Sequence, residues 1–233
     1  MGSWTKYEFG RESLPKRCFI FAGDIPEDIK HEVLSCYDEV LFHKHTVYER
    51  YIVRSQDQEH LLLFQVYGAP VISDVTYLLH DGGVEEIIFI GTAFGIPKGV
   101  AIGSIVVPSL VQCLEGLISI VFEEHYSKPN DTMIQAIKTA LHLNKEAYVE
   151  GKTVSVPCTF FHPSSEKFDH DVVALEMELS TVCYVAHKLG MKCGAVLIIS
   201  DNEEHTLLDD RTILYRRWMQ VFKCLKKEIK QVV

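Results

Sequence analysis

At 233 residues with 47% hydrophobic content, the chain is long enough to bury a sheet on both faces and short enough to form one domain. A formal net charge of −9 repels nucleic-acid phosphates, which excludes non-specific nucleic-acid binding but leaves room for a small anion in a local basic pocket. The seven cysteines are scattered and form no C-x-x-C pair, the pattern of a reducing compartment.

Residues 1–15 read as an arm with little periodicity and no basic-plus-apolar leader, so a cytoplasmic protein is expected. Cys18–Ala22 is a short apolar run ending in Gly23-Asp24, a buried strand and its turn. Ile25-Pro26-Glu27-Asp28-Ile29 opens a helix, with proline early and acids in the first turn, where the macrodipole favours them. Val40–Phe42, Val47–Val53 and Leu61–Val66 read as strands. The cationic cluster His43-Lys44-His45 between the first two reads as a solvated loop. Gly68-Ala69-Pro70 opens a helix to about His80.

Glu85–Ile90 is an apolar strand running into Gly91-Thr92-Ala93-Phe94-Gly95, whose glycines permit close backbone approach to a ligand. Val100–Val107 reads as a further strand. Leu110–Phe122 is apolar and open between strand and helix; its densest part, Leu117–Phe122, is too short to span a bilayer, so no membrane partner is expected. A polar loop over 127–132 precedes helical spacing over Met133–Asn144. Thr153–Thr159 reads as a strand leading into Phe160-Phe161, with a loop over 164–170. Glu176–Leu189 reads as a helix, Cys193–Ile199 as a strand, 202–210 as an acidic loop and Thr212–Gln231 as the last helix.

Strands alternating with helices from end to end predict one α/β domain over 16–233. In open α/β sheets, ligands sit outside the carboxyl ends of the strands. Asp201 ends the last strand and Glu178 opens the helix before it, so both can face one crevice; taken in isolation, Glu178 reads better as a surface acid and Asp201 as a helix N-cap. The eleven histidines are dispersed, and His43 with His45 is too few for a metal site, so neither a metal nor a cofactor is expected.

Several segments, taken in order, resemble the nucleoside phosphorylase and nucleosidase superfamily, which includes purine nucleoside and uridine phosphorylases and methylthioadenosine/S-adenosylhomocysteine nucleosidases. They are Gly23-Asp24-x-Pro26, Gly68-x-Pro70, Ile88-x-x-Gly91-Thr92-Ala93-x-Gly95, Gly103–Val107, Glu176-Met177-Glu178 and Ser200-Asp201. The resemblance implies a twisted, mixed and partly barrel-like central sheet flanked by helices, a homo-oligomer (dimer, trimer or hexamer), and cleavage of a nucleoside's N-glycosidic bond. By position, Met177 and Glu178 resemble the ribose-contacting pair, with Glu176 beside them. A carboxylate on the sugar hydroxyls gains strength as the sugar becomes oxocarbenium-like. Asp201 resembles the general acid at N7 of a leaving purine, with Arg216 or Arg217 as its support. Phe160 resembles the aromatic that stacks on the base.

The resemblance also has gaps. The phosphorylases carry a phosphate-binding arginine four residues after the equivalent of Gly23, where this chain has Glu27. A second arginine precedes the equivalent of Gly91 by two residues, where this chain has Phe89. A third comes from a neighbouring subunit, near the region of Lys44 and His45. Thr92 remains as a hydroxyl donor. The nucleosidases instead activate water with a glutamate five residues after that first glycine, and here the position is Asp28. Glu27 and Asp28 are equally readable as first-turn helix acids. Hydrolysis of a purine-type nucleoside is the favoured reading. The alternatives are phosphorolysis through an atypical phosphate site and a non-catalytic nucleoside-binding relative. Phe94 stands where the family has a small residue, which narrows or reshapes the base pocket.

Overall fold

The computed structural model describes residues 4–56, 58–96, 100–158, 168–204 and 211–229. Ten strands form one mixed sheet: β1 (Arg17–Ala22), β2 (Glu39–His45), β3 (Glu49–Ser55), β4 (Gln58–Val66), β5 (Glu86–Gly95), β6 (Ile105–Cys113), β7 (Tyr126–Ser127), β8 (Tyr148–Ser155), β9 (Val172–Glu176) and β10 (Lys192–Asn202). The helices are α1 (Trp4–Phe9), α2 (Glu27–Ser35), α3 (Ala69–Asp81), α4 (Leu117–Phe122), α5 (Asp131–Leu143), α6 (Leu179–Lys188) and α7 (Arg211–Glu228).

β5 pairs with both β10 and β9, and β10 continues through β6 and β8 back to β9, so these five strands close a ring. From β5 the sheet runs outward through β1, β4, β3 and β2. The expected mixed, partly barrel-like sheet is therefore present. Because β4, β1, β5 and β10 are parallel neighbours, their carboxyl ends lie side by side at one edge.

Alternation along β1 sends Cys18, Ile20 and Ala22 to a core shared with α3 and α6, and Phe19 and Phe21 to a second core under α2, α5 and α7. Both faces are covered, which is why these strands read as continuous apolar runs. A third cluster, Val154, Val156, Val172 and Leu175, packs against Phe94 and Met177.

Several element expectations need correction. β6 begins at Ile105 rather than at residue 100, because Ala101–Ser104 forms a tight turn. Gly103 in that turn has φ +82, and a Cβ there would lie 2.8 Å from Ile213 of α7. The ambiguous run resolves into both forms, β6 to Cys113 and then α4. The loop at 127–132 is shorter than expected: Asn130 caps α5, its Oδ1 accepting from Met133 N at 3.1 Å. His43-Lys44-His45 lies within the edge strand β2, not in a loop. Glu176 ends β9 rather than opening a helix, and α6 starts at Leu179. The arm contains α1, docked by Phe9 in the core and by Arg50 Nη1 donating to Glu8 Oε2 at 2.6 Å. No helix among the described residues is long and apolar enough to cross a membrane.

Candidate active site

The carboxyl ends of the parallel strands assemble the site. Gly23, just past β1, has φ +98, and a Cβ there would come within 2.9 Å of Thr92 Oγ1. Glycine at this point therefore lets the half-buried Thr92 hydroxyl stand against the turn after β1. On β10, the register shifts between Ile199 and Asp201, so that Asp201 pairs with Phe94. Phe94 in turn pairs with Leu175 on β9, two residues before Met177. One line across three strands thus brings Asp201, Phe94 and the segment leading to Glu178 together. Ser200 Oγ donates to Asp201 Oδ2 at 2.7 Å.

Glu178 is buried at the N-cap of α6. Its Oε1 accepts from Gly68 N at 2.6 Å, at the start of α3. Burial, reinforced by the neighbouring Glu176 carboxylate, pushes its carboxyl up to about 8, against the pull of the backbone donors from Gly68 and Met177.

Glu176 has a different job. Its Oε2 accepts from the backbone N–H groups of Glu178 at 2.7 Å and Leu179 at 2.5 Å, and its Oε1 accepts from Ser155 Oγ. Ser155 Oγ also accepts from Ser180 N at 2.8 Å. The carboxylate is thus engaged in capping the turn that carries Glu178. Burial raises its carboxyl above the ordinary value despite these donors.

Phe94 lies half-buried against the Leu175 cluster, beside Met177. Phe160 falls within residues 159–167, outside the described residues. Asp28 is exposed in the first turn of α2; its one hydrogen bond among the described residues is local, Oδ1 accepting from Ile29 N at 3.0 Å. It opens onto a groove of about 530 Å³ between α2 and α7, shared with Tyr215 and Arg216. Arg217 pairs with Glu146 at 2.7 Å. Lys44 Nζ donates to Tyr7 O at 2.9 Å, lies 3.7 Å from Glu8 Oε2 and sits 4.2 Å above the Tyr7 ring. Lys44 and His45 stand on β2, with β3 and β4 between them and β1, so the fold does not bring them to Glu178 within one chain.

Two positions are those where the resemblance looks for phosphate-binding arginines. Phe89 is fully buried in the α3–α6 core, and a Cβ at Gly91 would meet its ring at 2.6 Å. Glu27 is 74% exposed and pairs with Lys30, whose side chain is 2% exposed and which also donates to Glu49. Glu49 further accepts from Tyr51 OH at 2.7 Å. The lysine of this corner is therefore neutralised by two carboxylates.

Sequence reasoning missed Lys30 and Glu49, the Gly68 N–H, Ser155, and Glu115, which accepts from Ser180 Oγ at 2.8 Å and Thr181 Oγ1 at 2.7 Å in the first turn of α6. Gly68 carried a signal, a glycine just before a helix-opening proline, whose free N–H suits an acid. The others meet across 19 or more residues and carried none. No cluster among the described residues has the makings of a metal site.

The model of the phosphorylase superfamily matches residues 19–227. DeoD-type purine nucleoside phosphorylases are similar to this chain. That of Streptococcus suis is 26% identical over 166 residues, covering 66% of this chain and 70% of the relative. That of Anoxybacillus flavithermus is 27% identical over 163 residues, covering 66% and 69%. Among solved structures, the 5′-methylthioadenosine/S-adenosyl homocysteine nucleosidase of Campylobacter jejuni superposes with a TM-score of 0.78 at 14% identity, covering 92% of this chain and 98% of that one. A futalosine hydrolase mutant of Helicobacter pylori gives 0.76 at 16% identity, with the same coverage. These two likenesses are of fold.

Proposed function

The chain belongs to the phosphorylase superfamily, and from that premise we propose that it hydrolyses the N-glycosidic bond of a purine-type nucleoside. Cleavage of that bond is the superfamily's chemistry; hydrolysis and the purine are our reading. One observation carries the choice of nucleophile. The two positions where the family resemblance asks for phosphate-binding arginines hold a buried Phe89 and a Glu27 that, with Glu49, neutralises Lys30. Neither position offers a phosphate dianion a guanidinium: one is a ring sealed in the core, the other a carboxylate.

In the proposed reaction, Glu178 and Met177 hold the sugar. The positive charge that develops as the bond breaks favours the Glu178 carboxylate, so their interaction is stronger in the transition state than in the ground state. Asp201 protonates or hydrogen-bonds N7 of the base, which becomes a better leaving group. By the offset it shares with the nucleosidases' glutamate, Asp28, exposed in the first turn of α2, is assigned the water that attacks the anomeric carbon; Thr92 supplies a hydroxyl beneath the sugar, and Phe160 stacks on the base. Glu176 acts behind Glu178, by fixing the turn that presents it.

The DeoD-type relatives favour a second reading, phosphorolysis, with Thr92 and a partner subunit's basic residues at the anion. Release of free base from a nucleoside panel, measured with and without phosphate, separates the two. Equal release supports hydrolysis, and strict phosphate dependence overturns it. Asp201→Asn abolishes purine release under either reading. Binding without release points to a non-catalytic relative.

A further inference from the structure

At the start of α6 the residue in the capping position and the residues that do the capping are different. The side chain that opens a helix ordinarily turns an oxygen onto the N–H groups of the first turn, which have no partner within the helix. Glu178 holds that position, yet its side chain makes no capping bond. Its Oε1 takes the Gly68 N–H at the start of α3 instead, at 2.6 Å. The first-turn donors of α6 are satisfied from elsewhere. Glu176 Oε2 takes the N–H groups of Glu178 and Leu179. Ser155, fully buried at the end of β8, takes the next one: its Oγ accepts from Ser180 N at 2.8 Å and donates to Glu176 Oε1. Glu115, between β6 and α4, holds the same turn by accepting from Ser180 Oγ and Thr181 Oγ1. Leu114 N donates to Ser155 O at 2.8 Å and so ties the Glu115 segment to the end of β8.

We propose that Ser155 is a positioning residue for Glu178: by capping α6 in place of the N-cap side chain, it leaves the Glu178 carboxylate turned toward the ligand edge. The inference rests on the reading that Glu178 holds the sugar. Its physical basis is a competition for one donor. A buried N–H left without an acceptor is costly, and a helix N-terminus attracts carboxylate. With the Ser155 hydroxyl removed, the acceptor that ordinary capping supplies to Ser180 N is the Glu178 side chain. A carboxylate drawn onto its own helix is lost to the sugar.

The exchange leaves a mark on the proton. The titratable groups around Glu178 are Glu176 on β9, Glu115 behind it, and Asp201 at the end of β10; from α3 it meets the Gly68 N–H. Burial, then the Glu176 charge, holds the Glu178 carboxyl up at about 8. A further bond from Ser180 N favours the charged form and brings the carboxyl down. Simple loosening of the turn adds no such donor, so the direction of the change separates the two.

The test is the titration of Glu178 in the full chain, followed by carbon NMR with labelled glutamate and assigned by the signal lost in Glu178→Gln. The wild-type carboxyl titrates at about 8. Ser155→Ala moves it down by about one pH unit or more, the scale of a carboxylate gaining a backbone donor. In base release, kcat of that variant falls about tenfold or more, the cost of a misplaced group, and kcat/KM climbs at lower pH than in the wild type. Ser155→Cys, similar in size but a weaker acceptor, shifts both in the same direction by less, and decides the matter where the alanine variant does not fold. Thr181→Val is the control. It loosens the same turn by removing a bond to Glu115 and leaves Ser180 N its acceptor, so the titration stays where it is in the wild type. An unmoved titration in the Ser155 variants, or an equal shift in Thr181→Val, overturns the proposal. A wild type that releases no base from any nucleoside sinks the nucleosidase reading instead, and the NMR titration still decides the cap.

Discussion

The two ends of the same three strands treat charge in opposite ways. β1, β5 and β10 begin with Arg17, Glu86 and Lys192, side by side in register. There Arg17 Nη2 lies 2.6 Å from Glu86 Oε2, Lys192 Nζ lies 3.8 Å from Glu86 Oε1, and Arg17 also donates to Ile229 O, tying down the end of α7. The strands end at Gly23, Thr92 and Asp201, where the adjoining Glu178 is buried and, among the described residues, held by backbone donors. At one end each buried charge is answered by an opposite charge. At the other, a carboxyl is desolvated and left able to respond to a ligand. Such perturbed groups in a cleft are what chemistry uses, and they weaken the fold that holds them.

The largest expected effect lies at the paired end. Arg17→Ala leaves Glu86 buried without its main partner and should cost about 3–5 kcal/mol, measured by urea unfolding. A loss below about 1 kcal/mol, the range of exposed pairs, would break the contrast between the two ends.

Glu178→Gln should do the reverse, lowering kcat about 10²–10³-fold while stabilising the fold. The sign follows from the proton. The folded carboxyl holds its proton up to about 8, whereas the unfolded one releases it near 4.5. Between these values the folded chain binds more protons, so wild-type stability falls as pH rises. The variant's gain in Tm should vanish below pH 4.5 and be largest above pH 8. A gain that shrinks with rising pH would contradict the assignment. For the same reason, wild-type kcat/KM should climb as pH rises through about 8.

Phe94→Ala should act on selectivity, because the ring lies beside Met177 and across from Asp201. Relative kcat/KM for bulky and small bases should shift by about 10-fold, the scale of a change in pocket volume. Smallest is Glu27→Gln. It removes an exposed i,i+3 partner of Lys30 and should change stability by no more than about 0.5 kcal/mol, because Glu49 still answers the lysine.

Much of the fold was legible because its signals are local. Cys18–Ala22 and Cys193–Ile199 are apolar runs of strand length, and Met133–Leu141 repeats at helical spacing. The errors came where pairing partners decide. Val172–Glu176 is too short to declare itself and is a strand because β5 and β8 flank it. His43–His45 looks like a loop because an edge strand shows much of its length to water. In the site, the order of Gly23, Gly68, Thr92, Glu178 and Asp201 was readable, and the fold gathers them at one edge. Asp28 was picked by its offset alone, and it opens onto the α2–α7 groove.

By itself the sequence determined the α/β class, the family and the residue types at the motif positions: carboxylates at Glu178 and Asp201, and Glu27 and Phe89 where the resemblance looks for arginines. Tertiary structure decided the surroundings of each acid. Glu176 and Glu178 are two residues apart in one motif, yet the first is spent on backbone N–H groups at the start of α6, while the second is buried with its carboxyl pushed to about 8. Burial and hydrogen-bond partners set those roles, and both come from segments far along the chain, Gly68 and Ser155 among them.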